Sequence, residues 1–208
     1  VLFRSGAYLD KNRGILKENS RETLLFDSPP VTGLHNRMNL LAAALGARYM
    51  GVPGELIQTA AKTVTGLAHR LEFVRKVGGV SFYNDSAATI PDASVAAAAS
   101  FDRKVILIMG GTDKELDFSP LKTLKETVKT VYLLEGNATG RIAEELCRAD
   151  ISHSTPFASL EELLSSIMRH TEKEDIVVFS PGCTSFEMFL NEFDRGNKFK
   201  SLVEGLSE

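Results

Sequence analysis

The sequence predicts an α/β fold with a mostly parallel sheet, preceded by a smaller segment of different character. Three observations carry this. From residue 72 onward, short apolar runs of strand length alternate with segments of helical spacing. Two β-rich runs joined by Gly78-Gly79 mark where that alternation begins. No internal repeat or low-complexity linker interrupts it. The change of pattern puts a boundary near residues 65–68, dividing the chain into residues 1–66 and 67–208.

The first thirty residues are polar and turn-rich, with a strand pair expected at residues 6–9 and 23–26 before Asp27-Ser28-Pro29-Pro30. An alanine-rich apolar helix is expected at 40–49 and a second at 53–63, after Gly51. The hairpin strands follow at 72–77 and 80–84. Further strands are expected at 104–109, 130–134, 151–153 and 175–179. Helices are expected at 91–100, 119–125, 140–148, 159–170 and 185–193, and right-handed crossovers would join the parallel strands.

Composition narrows the function classes. The 208 residues are 43% hydrophobic, enough for a core, and 25% charged with a net charge of −3. No basic surplus or long like-charge run points to nucleic acid. Cys147 and Cys183 do not make a disulfide framework, and no C-x-x-C pair or histidine cluster suggests zinc. The longest apolar stretches, at 105–109 and 176–179, are too short to cross a bilayer. Without the apolar region of a signal peptide near Val1, a cytoplasmic location is the default. The start at Val1 rather than Met suggests truncation.

In an open α/β sheet, ligands bind beyond the carboxyl ends of the strands, so three loops stand out. In the first, residues 84–92, Thr89 and Asp92 fit a capping box and Pro91 a first helical turn. That loop is either a capped helix start or a polar rim presenting Asp85 and Thr89. The second holds Gly110 and Gly111, which permit a tight turn or close approach, and Lys114, which suits a carboxylate or phosphate. It is otherwise a glycine turn with a solvated lysine. The third, residues 180–185, reads as a hydroxyl-rich helix N-terminus at Ser185, either an anion site or a plain cap with Cys183 buried. Lys114 and the Ser185 helix start at one sheet edge suit a small acid with two carboxylates. No G-x-S-x-G elbow makes Ser185 a nucleophile, and no G-x-x-x-x-G-K-[ST] loop is present to hold a triphosphate.

Five segments in order resemble the Mur ligase family, of the MurD type. Gly33-Leu34-His35-Asn36-Arg37-Met38-Asn39 resembles the G-x-H-N-x-x-N segment near the end of its central domain. Ala68-His69-Arg70-Leu71-Glu72 resembles the H-R-x-E start of its C-terminal domain. Asn84-Asp85-Ser86 with Ala88-Thr89 resembles N-D-S-K-A-T, and Gly110-Gly111 with Asp113-Lys114 and Asp117-Phe118 resembles the glycine–lysine loop. Ser180-Pro181-Gly182-Cys183-Thr184-Ser185-Phe186 with Asn191, Arg195-Gly196 and Phe199 resembles the family's ending.

The resemblance implies a Rossmann-like C-terminal domain at 67–208, preceded at 1–66 by the remnant of an ATPase domain whose phosphate loop lies elsewhere. It implies cytoplasmic, ATP- and Mg2+-dependent joining of glutamate, D-glutamate by the family's habit, to UDP-MurNAc-L-alanine in peptidoglycan synthesis. In that family a carboxylate is phosphorylated by ATP and the amine of the incoming amino acid attacks the acyl phosphate. By motif, Asn39, Arg70 and Asp85 would contact adenosine, and Thr89, Lys114 and Ser185 would hold the amino acid's carboxylates. His35, Asn36, His69, Gly110, Gly111 and Phe193 would support them.

Two positions depart from the pattern. The lysine of N-D-S-K-A-T is Ala87 here, and the phenylalanine of N-F-E-x-R-G is Glu192, with Phe193 one place later. The alternatives are an L-glutamate-adding or folylpolyglutamate synthetase-like ligase, or a non-catalytic Rossmann-like nucleotide-binding module. The module reading predicts a phosphate loop of its own, and neither G-x-G-x-x-G nor a Walker loop is present. The 208-residue chain alone is expected not to ligate.

Overall fold

In a computed structural model, which describes residues 5–185 and 188–207, the chain forms two compact units, 1–66 and 67–208. The first holds strands β1 (Ser5–Asp10), β2 (Arg13–Glu18) and β3 (Arg21–Asp27) in one antiparallel sheet of order β1-β2-β3. Helices α1 (Leu34–Tyr49) and α2 (Gly54–Thr63) cover it. Leu16, Leu25 and Phe26 of the sheet pack against Leu41 and Ala44 of α1 and Ile57 and Ala61 of α2. Gly14 is required there, because a Cβ would stand 2.4 Å from the Phe26 ring.

This unit corrects the sequence reading in one respect. The expected strand pair is a three-stranded meander, with β2 paired to both neighbours. Arg13-Gly14-Ile15-Leu16-Lys17-Glu18 lacks a polar–apolar alternation, since only its middle is buried, so the pattern hid the strand. Helix α1 also begins earlier than expected. Thr32 O accepts the Asn36 side chain at 2.8 Å, which ties the first turn of α1 to the preceding loop.

The second unit contains β4 (Glu72–Val77), β5 (Val80–Asn84), β6 (Val105–Met109), β7 (Val128–Leu134), β8 (His153–Phe157) and β9 (Ile176–Phe179). They form one sheet of order β4-β5-β9-β6-β7-β8, parallel except for β4. The β4–β5 hairpin turns at Gly78 and Gly79, whose φ values of 58° and 91° suit a primed two-residue turn. Helices α3 (Pro91–Ala98) and α4 (Thr139–Arg148) and a 3₁₀ helix (Ser119–Glu126) share one face, and α5 (Leu160–His170) and α6 (Glu192–Glu204) the other.

The alternation of side chains along β6 builds both cores at once. Val105, Leu107 and Met109 point to the α3–α4 face, and Ile106 and Ile108 to the α5–α6 face. All five are buried, as expected of a parallel strand covered on both sides. The α/β architecture expected from the sequence is therefore observed.

Three local expectations are corrected. The helix read as 119–125 is a 3₁₀ helix. The strand expected at 151–153 runs His153–Phe157, an edge strand whose polar residues and Pro156 obscured it. Of the span 185–193 where a helix is expected, the described residues are helical only from Glu192, where α6 starts, and residues 188–190 form turns and bends. Asn191 caps α6, its side-chain oxygen accepting from Phe193 N at 3.0 Å and Asp194 N at 2.9 Å.

Candidate functional site

The sheet order brings β5, β9 and β6 side by side and parallel, so their carboxyl ends share one edge. The three loops singled out in the sequence leave from those ends, carrying Asp85 and Thr89, then Ser180 to Ser185, then Gly110 to Lys114.

Their backbones are tied together. Asp85 N donates to Phe179 O at 2.8 Å and Gly182 N to Ala88 O at 3.1 Å. Gly110 N donates to Pro181 O at 3.1 Å, and Thr112 and Thr184 form an isolated antiparallel bridge. The glycines serve this packing. A Cβ on Gly110 would stand 2.1 Å from Leu134 O, and one on Gly111 2.4 Å from Thr184 O. The space at both is filled by this chain's own backbone.

Asp85 is buried beneath the first loop. Its carboxylate accepts from Ser180 Oγ at 2.7 Å and Leu71 N at 3.1 Å. Burial pushes its pKa up to about 6, although these bonds and the nearby Arg70 favour the charged form. Ser180 Oγ also lies 3.1 Å from Ser94 Oγ, and Ser94 Oγ donates to Ser180 O at 2.8 Å. Arg70 itself is exposed.

His69 is buried with φ of 64°, and its Nδ1 lies 2.9 Å from Asn84 Nδ2. The amide is the donor in that geometry, so the ring accepts at Nδ1 and carries its proton at Nε2. Burial lowers the His69 pKa, in keeping with a neutral ring. Phe193 meets it edge-on with centroids 5.7 Å apart.

Thr89 is half-buried, and the capping box expected there does not form. Ile90, in an extended conformation, is the N-cap of α3, with Pro91 in the first turn. The proline biases the residue before it toward extended backbone and fixes the N-cap one residue beyond Thr89. Lys114 is exposed on a loop held by its neighbour Asp113. Asp113 pairs with Arg141, accepts from Leu116 N at 3.0 Å, and donates its own N–H to Asn137 Oδ1 at 2.6 Å.

Ser185 is buried at the end of the third loop, and its carbonyl accepts from Phe189 N at 3.0 Å. The helix N-terminus expected at Ser185 is thus a correction: the described residues that follow are a turn, and Phe186 lies outside them. In the first unit, Asn39 is exposed on α1, His35 is half-buried and Asn36 is buried. Among the described residues, no group of three or more His, Cys, Asp or Glu side chains is placed to hold a metal.

Sequence reasoning gave no role to Arg195, Gly196, Asn84, Ser86 or Ser180, though all lie within the quoted motifs. Arg195 is fully buried, and burial lowers its pKa to about 10, so it stays charged at neutral pH. A buried arginine is costly unless its donors are satisfied. That cost is visible only once the fold shows α6 running under the loops.

Residues 69–183 match the family described as Mur ligase, glutamate ligase domain. The chain belongs to the Mur ligase family. Curated Mur ligase relatives named UDP-N-acetylmuramoylalanine–D-glutamate ligase include one from Treponema pallidum, 46% identical over 72% of this chain and 28% of the relative. Another, from Symbiobacterium thermophilum, is 37% identical over 98% of this chain and 46% of the relative. The chain spans less than half the length of these relatives. Among solved structures, the MurC ligase of Thermotoga maritima is similar with a TM-score of 0.69 at 14% identity, over 97% of this chain and 46% of that one. A folylpolyglutamate synthase/dihydrofolate synthase from Yersinia pestis gives 0.66 at 18% identity over 97% and 46%. At such identities these likenesses concern the fold. No described helix is long and apolar enough to cross a membrane.

Proposed function

We propose that this chain is the amino-acid-binding part of a cytoplasmic, ATP-dependent ligase that adds glutamate, D-glutamate in first place, to UDP-MurNAc-L-alanine. The observation that carries this reading is that Thr89, Lys114 and Ser185 lie on loops leaving three adjacent parallel strands. The relatives' shared name supports the substrate, and a MurF ligase of the same fold in complex with ADP supports the nucleotide.

In this reading Lys114 supplies the positive charge for one carboxylate of the incoming amino acid, and the hydroxyls of Thr89 and Ser185 orient the other. Charge-assisted bonds of this kind are the stronger class, and holding the acid by its carboxylates leaves its amine as the reacting end. Arg70 and Asp85, with Asn39 of the first unit, are assigned to the adenosine part of ATP. Residues 1–66 are assigned to the end of the ATPase domain and 67–208 to the C-terminal domain. Magnesium and the phosphates are assigned mostly to parts of the ligase outside this chain.

The test is ADP release and amide formation by the complete ligase, offered D-glutamate, L-glutamate, D-aspartate and neutral amino acids, with and without Ala87→Lys. Turnover that requires an acidic amino acid is expected. A clear preference for a neutral amino acid would overturn the reading.

A further inference from the structure

Arg195, a buried side chain from outside the three ligand loops, bonds to two of them at once. From the second turn of α6 its Nη2 donates to Ser86 O at 2.8 Å and its Nε to Ser86 Oγ at 3.0 Å. Its Nη1 donates to Cys183 O at 3.0 Å. Ser86 Oγ in turn donates to Glu192 O at 2.7 Å, which closes a ring between the first loop and the start of α6. The remaining loop, that of Gly110 and Gly111, is reached through the residue after Cys183, because Thr184 bridges Thr112. A Cβ on Gly111 would stand 3.5 Å from Nη1, so the glycine loop passes close to the guanidinium.

The acceptors explain why arginine is used. A lysine has a single nitrogen and cannot address Ser86 and Cys183 from two edges of a planar fork. None of the ion pairs among the described residues includes Arg195, so its charge faces loop carbonyls and a hydroxyl. Well-packed apolar residues can often replace buried charges without loss of stability, so holding the loops together does not by itself call for an arginine.

We propose that Arg195 is a positioning residue for the amino-acid site, fixing the loops that carry Thr89, Ser185 and Lys114 relative to one another and placing a positive charge beneath them. This rests on the function proposed above. Arg195 touches no substrate; it acts through Ser86, Cys183 and the Thr112–Thr184 bridge.

The experiment compares Arg195→Lys and Arg195→Met with the wild type in two readouts. The first is amide hydrogen exchange of the 208-residue chain. Exchange is expected to accelerate tenfold or more at residues 84–89, 110–113 and 180–185, with β7 and β8 unchanged. The second is steady-state kinetics of the complete ligase. The KM for the acidic amino acid is expected to rise tenfold or more in Arg195→Lys, with the KM for ATP within twofold of wild type. If Arg195→Met does not fold, Arg195→Lys decides both readouts. Unchanged exchange in the three loops, or acceleration spread evenly over the whole unit, would overturn the proposal, as would equal rises in both KM values. A wild-type ligase without glutamate-dependent turnover defeats the function instead, while the exchange data still judge the loop coupling.

Discussion

Gly196 lies so close to His69 that a Cβ at position 196 would stand 2.2 Å from His69 Nδ1 and 3.0 Å from Ser86 Cβ. A glycine inside a helix costs roughly 0.5–1 kcal/mol relative to alanine. Here that cost admits the buried imidazole, whose Nδ1 the Asn84 amide meets at 2.9 Å. Gly196→Ala is therefore expected to destabilise the second unit by about 1–3 kcal/mol despite its better helix propensity. Urea denaturation checks this, and a midpoint at or above wild type would contradict it.

The same glycine shows why part of the fold was hidden in the sequence. The last helix, expected at 185–193, is observed at Glu192–Glu204 with Gly196 inside it, a residue that disfavours helix and is required there by contact with His69, which is distant in sequence. The strands β4, β5, β6, β7 and β9 were legible because they are apolar runs buried by helices on two faces or closed by a glycine turn. Strand β2 was not, and β8 was expected too early in the chain, since their exposed charged or proline-containing stretches resemble loops. The loops of the site were legible because they follow readable strands. Arg195 was not, because its role depends on burial.

Asp85 predicts a pH dependence. Its folded pKa of about 6 lies above the ordinary carboxylate value of 3.8, so the folded state holds the proton more tightly than the unfolded one. The cost of burying the ionised carboxylate is absent below the lower value, grows as pH rises between the two, and is complete above the higher. The stability of Asp85→Asn relative to wild type is expected to increase from pH 4 toward pH 6 and then level off. Thermal melts of both proteins across that range check it, and a difference independent of pH would contradict it.

The two cysteines should differ sharply. Cys147 is exposed, whereas Cys183 is fully buried and burial pushes its thiol up to about 12. A thiolate-dependent disulfide reagent at pH 8 is expected to titrate one thiol in the native chain and the second only after denaturation. Rapid reaction of both in the native state would mean that the β9 loop opens readily.

For Lys114, a charge-assisted hydrogen bond contributes roughly 1.5–3 kcal/mol. Lys114→Ala in the complete ligase is expected to raise the KM for the acidic amino acid about ten- to hundredfold, by the same arithmetic, while leaving that for ATP nearly unchanged. Under that assignment, the alanine at position 87, where the family's motif has lysine, leaves more of the task to Lys114. Lys198 is already paired with Asp194 at 3.0 Å. Equal changes in both KM values, or no change, would contradict the assignment.

The most direct test of the account is chemical-shift mapping of the isotopically labelled 208-residue chain during titration with D-glutamate. Saturable shifts are predicted at residues 84–89, 110–115 and 180–185, weakened by Lys114→Ala and absent when alanine replaces D-glutamate. Shifts confined to other parts of the chain, or equal shifts with alanine, would contradict the claim that these three loops form an acidic amino-acid site.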